Sequence, residues 1–242
     1  MVKQERAART REALVRAAAE VFAEEGFTAA SIAVISRRAR VSAGGLHFHF
    51  AGKTVLARAV QDRAAQALSR ITAGPAEPPT APVSAPGPAP GPDGSAGAGA
   101  GSGGGSLQVL VDSTHRLMAL LAHDAVVRAG FALCADPSFD GTADLRRQWR
   151  LWVEAAVAAA AREGLLAEGL LPEDAARGVV AATVGLEVLG AYDRQWLAPH
   201  TLTRFWTLML PRLASPPALD ALLPQGSPGS SAPPPDPDTE SD

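Results

Sequence analysis

The sequence predicts an all-α chain built from two helical domains, and three observations carry that expectation. Apolar residues recur at helical spacing in two segments, about 5–70 and 107–213. Cap and breaker residues fall where those stripes begin and end. Nowhere does an apolar and polar alternation read as a strand.

In the first segment Leu14, Ala17, Ala18, Val21 and Phe22 form one apolar stripe, which Gly26 stops. Ser31 then reads as the N-cap of a short helix that carries Ile32 and Ile35 and ends near Ala39. Ser42 caps the next, with Leu46 and Phe50 four apart on its inner side. A longer helix over 53–71 carries Leu56, Val60, Ala64 and Ala67. The second segment reads as helices over 107–122, 124–133, 142–163, 172–196 and 200–213, broken at Asp136-Pro137, Gly164, Gly169 to Pro172 and Pro199. Helix 172–196 is apolar around much of its circumference, more than one small domain usually buries, which points to a second subunit.

From Gly74 to Ser106, 29 of 33 residues are Gly, Pro, Ala or Ser, a composition that cannot build a packed core. The expected organisation is therefore a helical head at 1–71, a disordered linker at 72–106, a helical body at 107–214 and a disordered acidic tail at 215–242. Charge divides the same way: residues 1–70 hold twelve Lys/Arg against six Asp/Glu, and 71–242 hold ten against nineteen. A basic head on an acidic body suits a head that meets a polyanion.

Other classes are disfavoured. No uninterrupted apolar run reaches the length of a membrane span, and the charged start MVKQERAARTRE lacks the apolar core of a signal peptide, so a cytoplasmic protein without membrane attachment is expected. The single cysteine, Cys134, offers neither an internal disulfide nor a zinc site. No phosphate-binding glycine loop, serine elbow or metal spacing is present, so neither an enzyme nor a cofactor is expected.

Two short helices joined at Arg40-Val41, with a longer helix on either side, have the spacing of a helix-turn-helix. The leading end of the second short helix must be slim to approach base edges, and Ser42, Ala43, Gly44 and Gly45 keep it so. His47 and His49 can donate to phosphate. As a metal pair they fail, because an i, i+2 spacing on a helix points them apart. His49 reads equally as a packing residue, and Arg37, Arg38 and Arg40 equally as a solvated helix end.

The stretch TREALVRAAAEVFAEEGFTAASIAVISRRARVSAGGLHFHFAGKTVLARAV resembles the DNA-binding domain of the TetR family of transcriptional repressors. The matching positions are Phe22, Gly26, Ser31, Val41-Ser42, Phe48-His49-Phe50 and Lys53. Within that family the chain resembles the γ-butyrolactone autoregulator receptors of streptomycetes, through its opening KQERAARTREALVRAAAEVFAEEGF and through Trp206 and Leu210-Pro211 near the end. The resemblance implies a homodimeric repressor, bound to a palindromic double-stranded operator and released by a γ-butyrolactone held in the C-terminal ligand-binding and dimerisation domain. It places Ser31, Ser42, Ala43, Gly44, Gly45, His47, Phe48, His49 and Lys53 at the DNA, and Trp149 at the ligand. By spacing alone, Trp149 and Trp152 are core aromatics, and Trp196, Phe205 and Trp206 fill either the core or a dimer interface.

The chain departs from the family pattern where it matters. Ala43-Gly44-Gly45-Leu46-His47 replaces the common Lys-Gly-Ala-Leu-Tyr, losing a cation from the DNA face, and Arg40 stands where a turn glycine is usual. Two alternatives follow: a pseudo-receptor that senses an antibiotic or intermediate, and a ligand-binding or heterodimerising partner whose head no longer binds DNA. The linker also lies where the family passes almost directly between helices, so a flexible tether there would transmit little force unless it loops out.

Overall fold

The computed structural model describes residues 2–73 and 105–230, which are helical with no strand among them. The head comprises α1 (Val2–Ala29), α2 (Ile32–Arg38), α3 (Ala43–His49) and α4 (Lys53–Thr72). Its core is one cluster that includes Leu14, Val21, Phe22, Ile35, Leu46, Phe50, Leu56 and Val60. Gly26 breaks α1 as its position predicts: at φ 78° it leaves the helical region, and only three helical residues follow.

The body comprises α5 (Gly105–His123), α6 (Ala125–Ala135), α7 (Leu145–Arg162), α8 (Pro172–Gly190), a 3₁₀ turn (Arg194–Leu197), α9 (Pro199–Leu213) and α10 (Pro216–Leu219). Asp124 caps α6 by accepting from the Val126 amide at 2.7 Å, and Asp144 caps α7 through the Arg147 amide at 2.9 Å. Trp149 and Trp206 are the largest fully buried side chains, and each satisfies its indole N–H inside the core. Trp206 Nε1 donates to Thr114 Oγ1 at 2.8 Å, which settles Trp206 as core.

Two boundaries differ from expectation. The helix expected over 172–196 ends at Gly190, where the absent side chain leaves room for Leu197, which a Cβ would approach to 2.4 Å; the chain turns there and resumes as the 3₁₀ turn. The disordered tail expected from 215 does not begin there. Residues 215–230 form α10 and a strap along α5, with Ala218 and Leu222 buried. Gln108 Oε1 accepts from the Leu223 amide at 2.8 Å, Asp112 Oδ1 accepts from the Ser227 amide at 2.8 Å, and His115 Nε2 lies 3.0 Å from the Pro224 carbonyl oxygen. Those bonds offset the ordering of a Pro-rich segment that has few apolar side chains. The rest of the expected tail, 231–242, and 74–104 of the expected linker lie outside the described residues.

The ends that flank 74–104 are docked together. Ser113 Oγ on α5 donates to the Ile71 carbonyl at 3.1 Å, and Trp152 Nε1 on α7 donates to the Thr72 carbonyl at 2.8 Å. Helix α4 is thus fastened to the body at its last turn. It is also fastened along its length, because α4 and α1 both pack on α6: Gly130 faces Ala64, and just beyond α6 the Phe139 ring meets Phe27 at 5.0 Å, tilted by 52°. Buried Gln61 completes the joint, accepting from the Ala143 amide at 3.1 Å and donating to Cys134 Sγ at 3.4 Å.

Candidate nucleic-acid interface and effector cavities

The turn between α2 and α3 is built from local chemistry. Ser31 Oγ accepts from the Val34 amide at 3.2 Å, and Ser42 Oγ accepts from the Gly45 amide at 3.0 Å, so each serine starts the helix its position predicts. Arg40 adopts φ 54°, among the described residues the non-glycine exception to negative φ. That left-handed conformation costs about 1 kcal/mol at a non-glycine residue. It lets the Val41 amide reach back to the Ser36 carbonyl at 2.9 Å and closes the turn.

Helix α3 buries Leu46 and, at its C-cap, Phe50; Arg11 of α1 lies over the Phe50 ring at 5.1 Å. Its opposite side is exposed: Ser42, Ala43, Gly44, His47 and Phe48 face outward, and His49 is half-buried. Phe48 is 83% exposed, which nothing in the core explains, and its ring meets His49 edge-on at 5.2 Å. Arg37 and Arg40 are exposed beside this surface, without ion pairs among the described residues. Arg38 differs, for its Nη2 pairs with Glu24 at 2.8 Å and holds that carboxyl below the usual range by hydrogen bonding. Arg38 therefore ties α2 to α1.

The two glycines of α3 serve different ends. A side chain at Gly45 would meet Val41 Cγ1 at 2.8 Å and Ser42 Oγ at 3.2 Å, whereas Gly44 has nothing within 4 Å. Gly45 is thus required by the turn, and Gly44 leaves open space on the outer surface. Gly44→Ala is expected to stabilise the protein by about 0.5–1 kcal/mol through helix propensity, and Gly45→Ala to destabilise it, in thermal melts of the two variants.

Lys53 does not face outward. Its ammonium donates to the carbonyls of Phe27, Thr28 and Ala30 at 2.8, 3.1 and 3.0 Å and lies 4.6 Å from the centre of the Phe27 ring. All three of its N–H groups are used on the end of α1, so the expected DNA contact is corrected to a positioning role. Ser31 is likewise committed to its cap, with its hydroxyl still exposed. The ties that hold the head together, Glu12 with Arg63, Arg38 with Glu20 and Glu24, and Gln61 with the 134–143 loop, carry no sequence signal, because each joins residues distant along the chain or on different helices.

In the body, Trp149 is 1% exposed, stacks on Trp152 at 5.1 Å and donates from Nε1 to Thr183 Oγ1 at 2.9 Å. It lines neither of two cavities in the body and at its junction with the head. One, of about 260 Å³, lies between α5, the 3₁₀ turn and the start of α9. The other, of about 430 Å³, lies where α1 meets α6 and α8. No group of three or more His, Cys, Asp or Glu that could hold a metal ion occurs among the described residues. No single helix there is long and apolar enough to cross a membrane.

Comparisons with known proteins agree with this geometry. Residues 14–60, which span the second half of α1 through the first part of α4, match the family model of bacterial regulatory proteins, tetR family. The A-factor receptor protein of Streptomyces griseus is 27% identical over 231 residues, covering 93% of this chain and 71% of that protein. The crystal structure of full-length native TylP, a tetR regulator from Streptomyces fradiae, is 27% identical and covers 95% of this chain and 89% of that one, with a TM-score of 0.59. The crystal structure of a gamma-butyrolactone receptor (ArpA-like protein) superposes with a TM-score of 0.66 at 22% identity, over 89% of this chain and 93% of that one. The head therefore carries the helix-turn-helix segment that the model of bacterial regulatory proteins, tetR family, describes, and head and body together share the fold of these solved structures.

Proposed function

We propose that the protein is a homodimeric repressor that binds a palindromic operator through α3 and is released by a γ-butyrolactone-type signal, so controlling secondary metabolism. The observation that carries the DNA reading is the outward face of α3. Residues that must be slim or polar to enter a major groove are exposed there, on a helix whose inner face is locked into the head core. Ser42, Ala43, Gly44 and His47 meet the groove and the flanking phosphates, and Phe48 supplies an apolar contact of the kind a thymine methyl accepts. Gly45 and His49 support that surface, and Arg37 and Arg40 reach the backbone beside it.

The dimer follows from α8 and α9. Leu171, Val188, Leu189, Trp196 and Leu208 are exposed on the body, and Gly178 and Gly185 leave open space on α8 for close approach of a second helix. Two-fold symmetry then sets the heads one helical turn of DNA apart, about 34 Å. Such a protein works in the cytoplasm with the chromosome, and neither an enzymatic activity nor a cofactor enters the account.

The ligand reading rests on the similarity to the A-factor and gamma-butyrolactone receptors. Trp149 is the proposed ligand contact; it lines neither cavity, so a lactone reaches it only by displacing the bond between its indole and Thr183. Release requires tighter binding of the ligand to the state whose heads do not fit the operator. Helices α1, α4 and α6, packed together, provide a rigid route for that coupling that does not pass through 74–104.

Ala43→Lys tests the DNA face. It restores the cation the family commonly carries, and it is expected to steepen the slope of log K against log salt by about 0.9 and to tighten binding several-fold at low salt. Fluorescence anisotropy on operator DNA reads both quantities, and an unchanged slope would remove α3 from the DNA.

A further inference from the structure

The larger cavity lies at the junction of head and body. Ala23 of α1 forms one side, and α5, α6, α7, α8 and the 3₁₀ turn form the rest. Its walls are apolar at Ala23, Leu121, Ala132, Val188 and Leu197, and three arginines reach it: Arg128, Arg146 and Arg194. Arg146 is neutralised by Glu187, its Nε and Nη2 donating to the two carboxylate oxygens at 3.0 Å each.

Arg128 and Arg194 are not neutralised in this way. No carboxylate lies within ion-pair distance of either among the described residues. Both instead send Nη1 to the Ala122 carbonyl at the end of α5, Arg128 at 3.1 Å and Arg194 in a short contact, and Arg128 Nη1 also reaches the neighbouring Leu121 carbonyl at 3.4 Å. Two cations therefore converge on one oxygen beside an apolar cavity. Around Arg128 the charged groups are Arg194, Asp124 and Glu24, of which Asp124 caps α6 and Glu24 is paired with Arg38. Burial first, and repulsion from Arg194 second, hold the Arg128 guanidinium below its ordinary range. The end of α5 carries a partial negative charge that suits cations, yet each guanidinium uses only its Nη1 there and keeps its other donors for a further acceptor.

We propose that this cavity is a binding site for a small amphipathic organic anion, whose single carboxylate bridges Arg128 and Arg194 while its apolar part fills the space between α1, α6 and α8. A planar carboxylate matches the guanidinium fork, and the Ala-, Val- and Leu-lined remainder selects against a bare inorganic ion. Because Ala23 belongs to the head and the arginines to the body, an occupant would fasten one to the other. This site is separate from Trp149 and does not depend on the γ-butyrolactone reading.

Octanoate is the probe and octanamide its neutral counterpart, each added to the full-length protein without DNA at constant ionic strength and followed by thermal melting. Octanoate is expected to raise the melting temperature by about 3 °C at ten times its Kd, and octanamide to leave it unchanged. The double variant Arg128→Gln/Arg194→Gln should lose the shift. Ala132→Trp, at an exposed position, should lose it as well by filling the cavity with no change in charge, and ligand-free melts of both variants report whether they fold. Equal stabilisation by octanoate and octanamide, or a shift retained in Ala132→Trp, overturns the proposal. Since no DNA or lactone is present, failure here is distinct from failure of the repressor reading.

Discussion

Lys53→Met should destabilise the protein by about 3 kcal/mol and lower its melting temperature by about 10 °C. The side chain keeps its length and much of its packing, so the loss isolates the ammonium. In the native head that ammonium satisfies three carbonyls at the broken end of α1, those of Phe27, Thr28 and Ala30, and stacks on Phe27. Hydrogen bonds to a charged donor contribute about 1.5–3 kcal/mol each, but partial exposure of Lys53 lets water replace part of them. Circular dichroism melts measure the change. If Lys53 instead served DNA, the same variant would melt normally and lose only operator affinity.

Gly130→Ala should cost about 2 kcal/mol, and Ala64→Gly in the same chain should restore about half of it. A side chain at Gly130 would fall 2.3 Å from Ala64 Cβ and 3.0 Å from Leu145 Cδ1, and neither the methyl nor the helix backbone beneath it can turn aside. The helices α4 and α6 must then separate at the joint between head and body. Removing the Ala64 methyl reopens the space, at a helix-propensity cost of about 1 kcal/mol that keeps the rescue partial. A rescue larger than either single change explains is the expected sign of coupling, and strictly additive losses would show that the two residues do not share a contact.

Most of the head was legible because its signals are local. Ser31 and Ser42 cap the helices they precede, Gly26 breaks α1, and Arg40 takes the left-handed conformation that a turn glycine would otherwise supply. Leu46 and Phe50 are buried where their spacing placed them. What composition concealed was tertiary. The strap at 215–230 reads as tail because its anchors are backbone groups at Leu223, Pro224 and Ser227, bonded to α5 more than a hundred residues earlier. Lys53 carries the family's motif, yet only the folded backbone shows which way its ammonium turns. Gly130 and the pair Arg128 and Arg194 gave no pattern at all, since each owes its role to a helix from another part of the chain.

The same distinction bears on coupling. A Gly/Pro-rich insertion between α4 and α5 reads as a loss of mechanical connection, but connection through the chain is one route among several. Gln148 donates to Ser69 Oγ at 2.9 Å, Trp152 to the Thr72 carbonyl and Ser113 to the Ile71 carbonyl, so α4 is held by side chains on α5 and α7 on the far side of the insertion. Together with α6 beneath α1 and α4, these bonds join the head to the body. The decayed-head alternative predicts folded helices that bind no DNA, and the pseudo-receptor alternative predicts operator binding indifferent to a γ-butyrolactone.

The most direct measurement is therefore fluorescence anisotropy of the full-length protein on labelled DNA from upstream of its own gene, at two salt concentrations, with and without a γ-butyrolactone. Binding that weakens with salt and is reversed by the lactone is the predicted result. Binding that the lactone leaves intact, or no binding at the lower salt by a folded protein, would contradict the account.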